Sequence, residues 1–233
     1  MKNLIVANWK LNPTTKKEAG EIFNNIKAGS EGVNSEVVVC PPFIYLEELK
    51  GLALGAQNVY FEERGAFTGE ISAVMLKDLG VEYVIIGHSE RRKYFGETDE
   101  TINKKIKKSL EVGLKLIFCI GETSEERDAG KKNEVLEKQI KIGLDGITDL
   151  ANINIAYEPV WAIGTGNNCG VEETKESIAF IRKISGVERV LYGGSVKSDN
   201  SGAYIKEAGS NGLLVGGASL NAQEFVKIVK SAE

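Results

Sequence analysis

A single histidine, His88, occurs in 233 residues, which excludes a cage of histidines around a metal. Cysteine is scarce too: Cys40, Cys119 and Cys169 are odd in number and far apart. That pattern gives neither a disulfide framework nor a zinc pair, and it fits a reducing compartment. No stretch approaches the roughly 18 apolar residues of a membrane-spanning helix. Met1–Ile5 is too short for a signal peptide and runs at once into polar Asn8 and Lys10. No block of lysines and arginines exists, and the net charge is −4, so neither nucleic acid nor an anionic membrane is the expected partner. No Pro/Ser-rich linker divides the chain. These absences leave a soluble, cytoplasmic protein, with residues 1–233 as one domain.

Glycine is in excess, 26 of 233 residues against a usual ~7%, and its placement follows from a repeating pattern. Eight short apolar runs recur: Leu4–Ala7, Glu36–Val39, Leu52–Ala56, Tyr83–Ile86, Leu116–Ile120, Ile153–Tyr157, Arg189–Tyr192 and Gly212–Val215. Continuous rather than alternating apolar runs suit parallel strands covered on both faces. Between them lie stretches of 3.6-residue period: Thr15–Ile26, Thr101–Val112, Asn133–Leu144, Glu172–Ile184 and Ala222–Val229, with shorter ones at Ile44–Lys50 and Ser72–Leu79. Spread over 233 residues, eight units take about 29 each, room for a strand, a crossover helix and two loops. The pattern predicts an α/β fold, a closed (β/α)8 barrel of eight parallel strands with outer helices. A doubly wound open sheet is the alternative, but the turn after the first strand, Ala7–Asn12, has no glycine for a dinucleotide.

In such a barrel, function gathers where strands end and loops begin. Asn8 and Lys10 follow the first strand. His88, Ser89 and Glu90 follow the fourth, and Glu158 the sixth. Strands seven and eight end in Gly193-Gly194-Ser195 and Gly216-Gly217-Ala218. One Gly–Gly pair needs nothing more than a tight turn. Two in consecutive units read as an anion cradle, where missing Cβ atoms let a ligand approach backbone N–H groups. Glu158, held extended before Pro159, is a candidate general base. His88 opens a one-turn helix with Ser89 as its cap and Glu90 in the first turn. A helix N-terminus disfavours the imidazolium there. Lys10 supplies a local positive charge. Val160-Trp161-Ala162-Ile163 is too apolar for an idle surface loop, and reads either as a lid that expels water or as a loop packed on the barrel. A cradle, a carboxylate, an imidazole and an ammonium, with no metal set, are equipment for moving a proton next to a carbonyl on a small phosphorylated substrate.

Six segments together resemble the triosephosphate isomerase family: Asn8-Trp9-Lys10, Gly65–Glu70, Gly87–Arg92, Ala156–Gly166, Tyr192–Ser195 and Leu214–Ser219. The match is collinear from residue 3 to about 229. The resemblance implies interconversion of dihydroxyacetone phosphate and D-glyceraldehyde 3-phosphate, a step of glycolysis and gluconeogenesis, without cofactor or metal. It implies Glu158 as base and His88 as a neutral electrophile. Lys10 and Asn8 would stabilise the enediolate, and Glu90 would lie beside them. Gly164, Ser195, Gly216 and Gly217 would hold the phosphate, and Pro159–Gly166 would close over it. A homodimer is also implied, with Thr68 on the Gly65–Glu70 loop reaching the partner's site. Two features depart from the family: the Asn167-Asn168-Cys169-Gly170 hinge, and a shortening near Lys50–Leu54. Two other readings stay open, a different phosphosugar-processing barrel enzyme and a non-catalytic phosphate-binding barrel. A dehydrogenase lacks its fingerprint.

Overall fold

The computed structural model describes residues 1–163 and 168–233. Eight strands close into a barrel in chain order: β1 (Leu4–Asn8), β2 (Glu36–Cys40), β3 (Ala53–Ala56), β4 (Tyr83–Ile86), β5 (Lys115–Ile120), β6 (Ile153–Tyr157), β7 (Val190–Tyr192) and β8 (Gly212–Val215). Every pairing is parallel, and β1 bonds both β2 and β8. Each expected run matches its strand to within one residue. The expected (β/α)8 barrel is the observed architecture.

Consecutive strand residues divide between two buried clusters. Leu4, Val6, Val38, Cys40, Tyr83, Ile85, Ile117, Cys119, Ala156, Leu191 and Leu214 fill the barrel interior. Their neighbours Ile5, Ala7, Val37, Val39, Val84 and Ile86 point outward and pack with helix residues such as Ala19, Phe23, Ile102, Ile178 and Phe225. Burial on both faces is why these strands read as continuous apolar runs.

The outer layer is α1 (Lys16–Gly29), α2 (Ala73–Asp78), α3 (Ser89–Phe95), α4 (Asp99–Glu111), α5 (Ser124–Asp128), α6 (Lys132–Gly143), α7 (Val171–Ser185), α8 (Ser201–Lys206) and α9 (Ala222–Ser231). Thr15, Ser72 and Thr98 cap α1, α2 and α4 by accepting backbone N–H groups. The helix expected at Ile44–Lys50 is instead one 3₁₀ turn, Phe43–Tyr45. Only residues 41–52 join β2 to β3, near the dozen or so that a parallel crossover needs at minimum. The connection is too taut to coil.

A charged cluster stands at the N-terminal end of the barrel, beside a second cavity of about 540 Å³. The Tyr83 hydroxyl donates to Glu36 at 2.5 Å, and Lys115 and Arg189 reach the same carboxylate at 3.4 and 3.3 Å. Burial pushes the Glu36 carboxyl up, but the tyrosine and the two cations together hold it below the usual range. The opposite end carries the cavity described next.

Candidate active site

A cavity of about 560 Å³ opens at the C-terminal ends of the strands, lined by Asn8, Lys10, His88, Glu158, Ser195, Gly216 and Gly217 among others. These groups arrive on the ends of five different strands, β1, β4, β6, β7 and β8. The filter applied to the sequence therefore converges in space.

His88 leaves β4 through Gly87, whose φ of 76° is left-handed and whose missing Cβ would press on Ile102 and the Cys119 carbonyl. The cap of α3 is His88 itself, not Ser89: its Nδ1 accepts the Glu90 N–H at 3.2 Å. The imidazole outcompetes the serine because φ −52°, ψ 139° at His88 aims the ring back over the first turn. A nitrogen that accepts from an N–H carries no proton, so the proton of a neutral ring lies on Nε2. Nε2 faces Glu158 Oε1 at 3.1 Å. The Ser89 N–H donates to Glu158 Oε2 at 3.0 Å. Ser89 thus supports the site through its backbone, and Glu158, only 2% exposed, is held by both oxygens. Arg92 staples the turn, donating to the Gly87 and Cys119 carbonyls and pairing with Asp99 at 2.5 Å.

Lys10 stands at φ 54°, a left-handed conformation rare for a residue with a side chain. Its N–H donates to Asn8 Oδ1 at 3.0 Å, and its carbonyl accepts from Gln57 Nε2 at 2.8 Å. Gln57 also bonds the Cys40 carbonyl at 2.9 Å, so the strained turn is tied to β2. The Lys10 ammonium meets Glu90 Oε1 at 2.5 Å. A Cβ on Gly216 would touch the Lys10 stem at 3.3 Å, which sets the ammonium against the Gly216–Gly217 edge. Reading the sequence missed Gln57. The signal was its place: it directly follows β3, at the rim where Asn8 ends β1.

The loop after β5 seats the base. Gly121 lies so close to Glu158 that a Cβ on it would overlap the Glu158 carbonyl. Glu122, fully buried, accepts from Tyr157 Oη at 3.1 Å and Trp161 Nε1 at 2.9 Å, and its carbonyl takes the Val160 N–H at 3.0 Å. Burial pushes its carboxyl above the usual range despite those donors. Arg127 stacks on the Trp161 ring at 3.9 Å, and Ser195 Oγ donates to the Ala162 carbonyl at 2.6 Å. Pro159–Ile163 is therefore anchored to both neighbouring loops. Gly164 and Asn167 lie outside the described residues, as does the remainder of the expected closing segment. We expect Gly121→Ala to shift the Glu158 backbone and cost more than about 3 kcal/mol of stability, read as a lowered melting temperature with lost activity.

Thr68 is not at this cavity. It sits on a fully exposed excursion, residues 62–70, closed at its base by the Tyr60 N–H donating to the Ile71 carbonyl at 2.8 Å. Among the described residues, no group of three His, Cys, Asp or Glu is arranged to hold a metal, and no helix is long and apolar enough to cross a membrane.

Comparison with known proteins bears on this arrangement directly. The family model described as Triosephosphate isomerase matches residues 3–232. The triosephosphate isomerase of Alkaliphilus oremlandii is 49% identical over 245 aligned positions, covering 98% of both chains. That of Aquifex aeolicus is 48% identical over 246 positions, covering 99% of this chain and all of its own. With eight parallel strands closed into a barrel and a base, an imidazole and an ammonium gathered at its mouth, the chain belongs to the triosephosphate isomerase family.

Proposed function

We propose that the chain interconverts dihydroxyacetone phosphate and D-glyceraldehyde 3-phosphate by proton transfer through an enediolate. The observation that carries this reading is the 3.1 Å contact of His88 Nε2 with Glu158, at the wall of a cavity that also holds Lys10 and the Gly216–Gly217 edge. A substrate carbonyl entering there replaces Glu158 as the acceptor of the Nε2 proton and frees the carboxylate. Glu158 takes a proton from the carbon beside that carbonyl. The electrons move onto the oxygen, which His88 protonates. His88 recovers a proton from the second oxygen, and Glu158 returns its own to the other carbon. Lys10 and Asn8 stabilise the negative charge between these steps. Substrate and product have the same composition, so the reaction calls for no redox cofactor.

Three supports extend the reading. Gly164, Ser195, Gly216 and Gly217 hold the phosphate, and Pro159–Gly166 closes over the enediolate to keep it from expelling that phosphate. The working form is a homodimer, favoured by the exposed side chains of Leu11, Ile44, Phe67, Met75, Tyr94 and Phe95. Three buried free thiols fit a cytoplasmic location.

A coupled assay with glyceraldehyde 3-phosphate, run in EDTA without cofactor, tests the activity. Full turnover is expected, and none would sink the reading. Inorganic phosphate is expected to inhibit competitively. A Cβ at Gly217 meets nothing within 4 Å, so Gly217→Val folds and fills the anion's place. We expect its KM to rise by about 10-fold or more, the scale on which one lost contact set weakens binding. An unchanged KM in that folded variant would put the anion elsewhere.

A further inference from the structure

Two walls of the cavity lean on one residue that does not reach it. Tyr204, on α8, is buried to within 2%. Its hydroxyl donates to the Cys169 carbonyl at 2.8 Å. Cys169 is followed by Gly170, the residue before α7, and preceded by Asn168, which lines the cavity. The Tyr204 ring stacks on Tyr192 with centroids 3.9 Å apart and planes 20° from parallel. Tyr192 in turn bends over Gly194 so closely that a Cβ there would overlap its hydroxyl. That hydroxyl is itself buried and, among the described residues, has no partner at full hydrogen-bond geometry. The stack and Gly194 hold the outer end of the Tyr192 ring. Gly193, Gly194 and Ser195 line the cavity on that side.

We infer that Tyr204 is a positioning residue for the substrate's phosphate: its hydroxyl holds the chain at Cys169, and its ring holds Tyr192 against the Gly194–Ser195 turn. This rests on the reading that the cavity takes a phosphorylated triose. The phosphate is bound alike in substrate and transition state, so loosening its walls weakens both equally. That loss falls on KM rather than on kcat.

The test uses Tyr204→Phe, which keeps the stack and drops the hydroxyl, and Tyr204→Leu, which drops both. Each is measured for kcat, KM, the inhibition constant of inorganic phosphate and melting temperature. For Tyr204→Phe, KM and the phosphate constant are expected to rise together about 5-fold, the scale of one hydrogen bond, with kcat within about twofold. Tyr204→Leu should rise further on both, so that Phe stands between Leu and Tyr. Unchanged KM and phosphate constants in either folded variant would overturn the inference, even with a lowered melting temperature, because the tyrosine would then be structural alone. A fall in kcat at constant KM would overturn it too. Phosphate that fails to inhibit the parent protein competitively would defeat the cavity reading, and the inference with it. Inhibition of the parent with unmoved variants defeats the inference alone.

Discussion

Glu158→Asp is expected to cut turnover on the order of 10²-fold while leaving KM nearly unchanged, the scale for a misplacement of about 1 Å. The variant keeps the charge and shortens the side chain by one methylene. In the resting site both carboxylate oxygens are engaged, one by Ser89 N–H at 3.0 Å and one by His88 Nε2 at 3.1 Å. The backbone that carries them cannot follow the shorter arm. Gly121 packs against the Glu158 carbonyl, the Glu158 N–H is held by the Ile120 carbonyl at 2.8 Å, and Pro159 fixes the exit. The aspartate therefore sits back from the reacting carbon instead of relaxing toward it. The turns after β7 and β8, proposed to bind the phosphate, stay in place, so substrate binding is expected to persist. Steady-state kinetics in both directions measure the effect. Turnover near the parent's would mean that another group takes the proton.

The contact that matters most joins residues 70 positions apart in the chain. It was reachable from the sequence because the barrel could be read first. Eight runs buried on both faces leave an unmistakable apolar signature, and their ends then name Asn8, Lys10, His88 and Glu158 without any distance being known. What escaped is what does not depend on apolar period. α5 has no buried residue; it exists because Thr123 and Glu126 cap each other's backbone groups. That Thr-x-x-Glu spacing is readable, but not by hydrophobic pattern. α8 is six residues long and buries only Ser201 and Tyr204, too few for a stripe. The misread cap at Ser89 has a simpler cause: serine is the commoner cap, and only the backbone angles at His88 make its ring the better acceptor. Gln57 acts on Lys10 through a carbonyl, so neither residue's type shows the link, and only its place directly after β3 pointed to the rim.

Thr68→Arg is expected to yield folded monomers that have lost most of their activity. The loop that carries Thr68 is held together by aromatic contact, Phe67 on Tyr60 at 4.9 Å and Tyr60 on Phe61 at 4.3 Å, yet residues 62–70 are exposed along their whole length. An excursion that keeps its shape while showing an aromatic ring to water is built to be covered. Leu11, 91% exposed and next to Lys10, is the place where the proposed dimer would be covered beside the Lys10 turn. An arginine at 68 costs nothing in the isolated chain, where the position is open. In the proposed dimer it would bury a charge with no partner. Association is then lost without loss of fold. Each protomer still owns its Glu158, His88 and Lys10, so chemistry fails only through geometry. The left-handed Lys10 turn, held in one chain by Asn8 and Gln57, loses its outer cover, and a drift of about 1 Å there costs on the order of 10²-fold. Sedimentation velocity and the coupled assay on the same sample decide the matter. Fully active monomers, of the variant or of the parent, would show that the partner contributes nothing to the site.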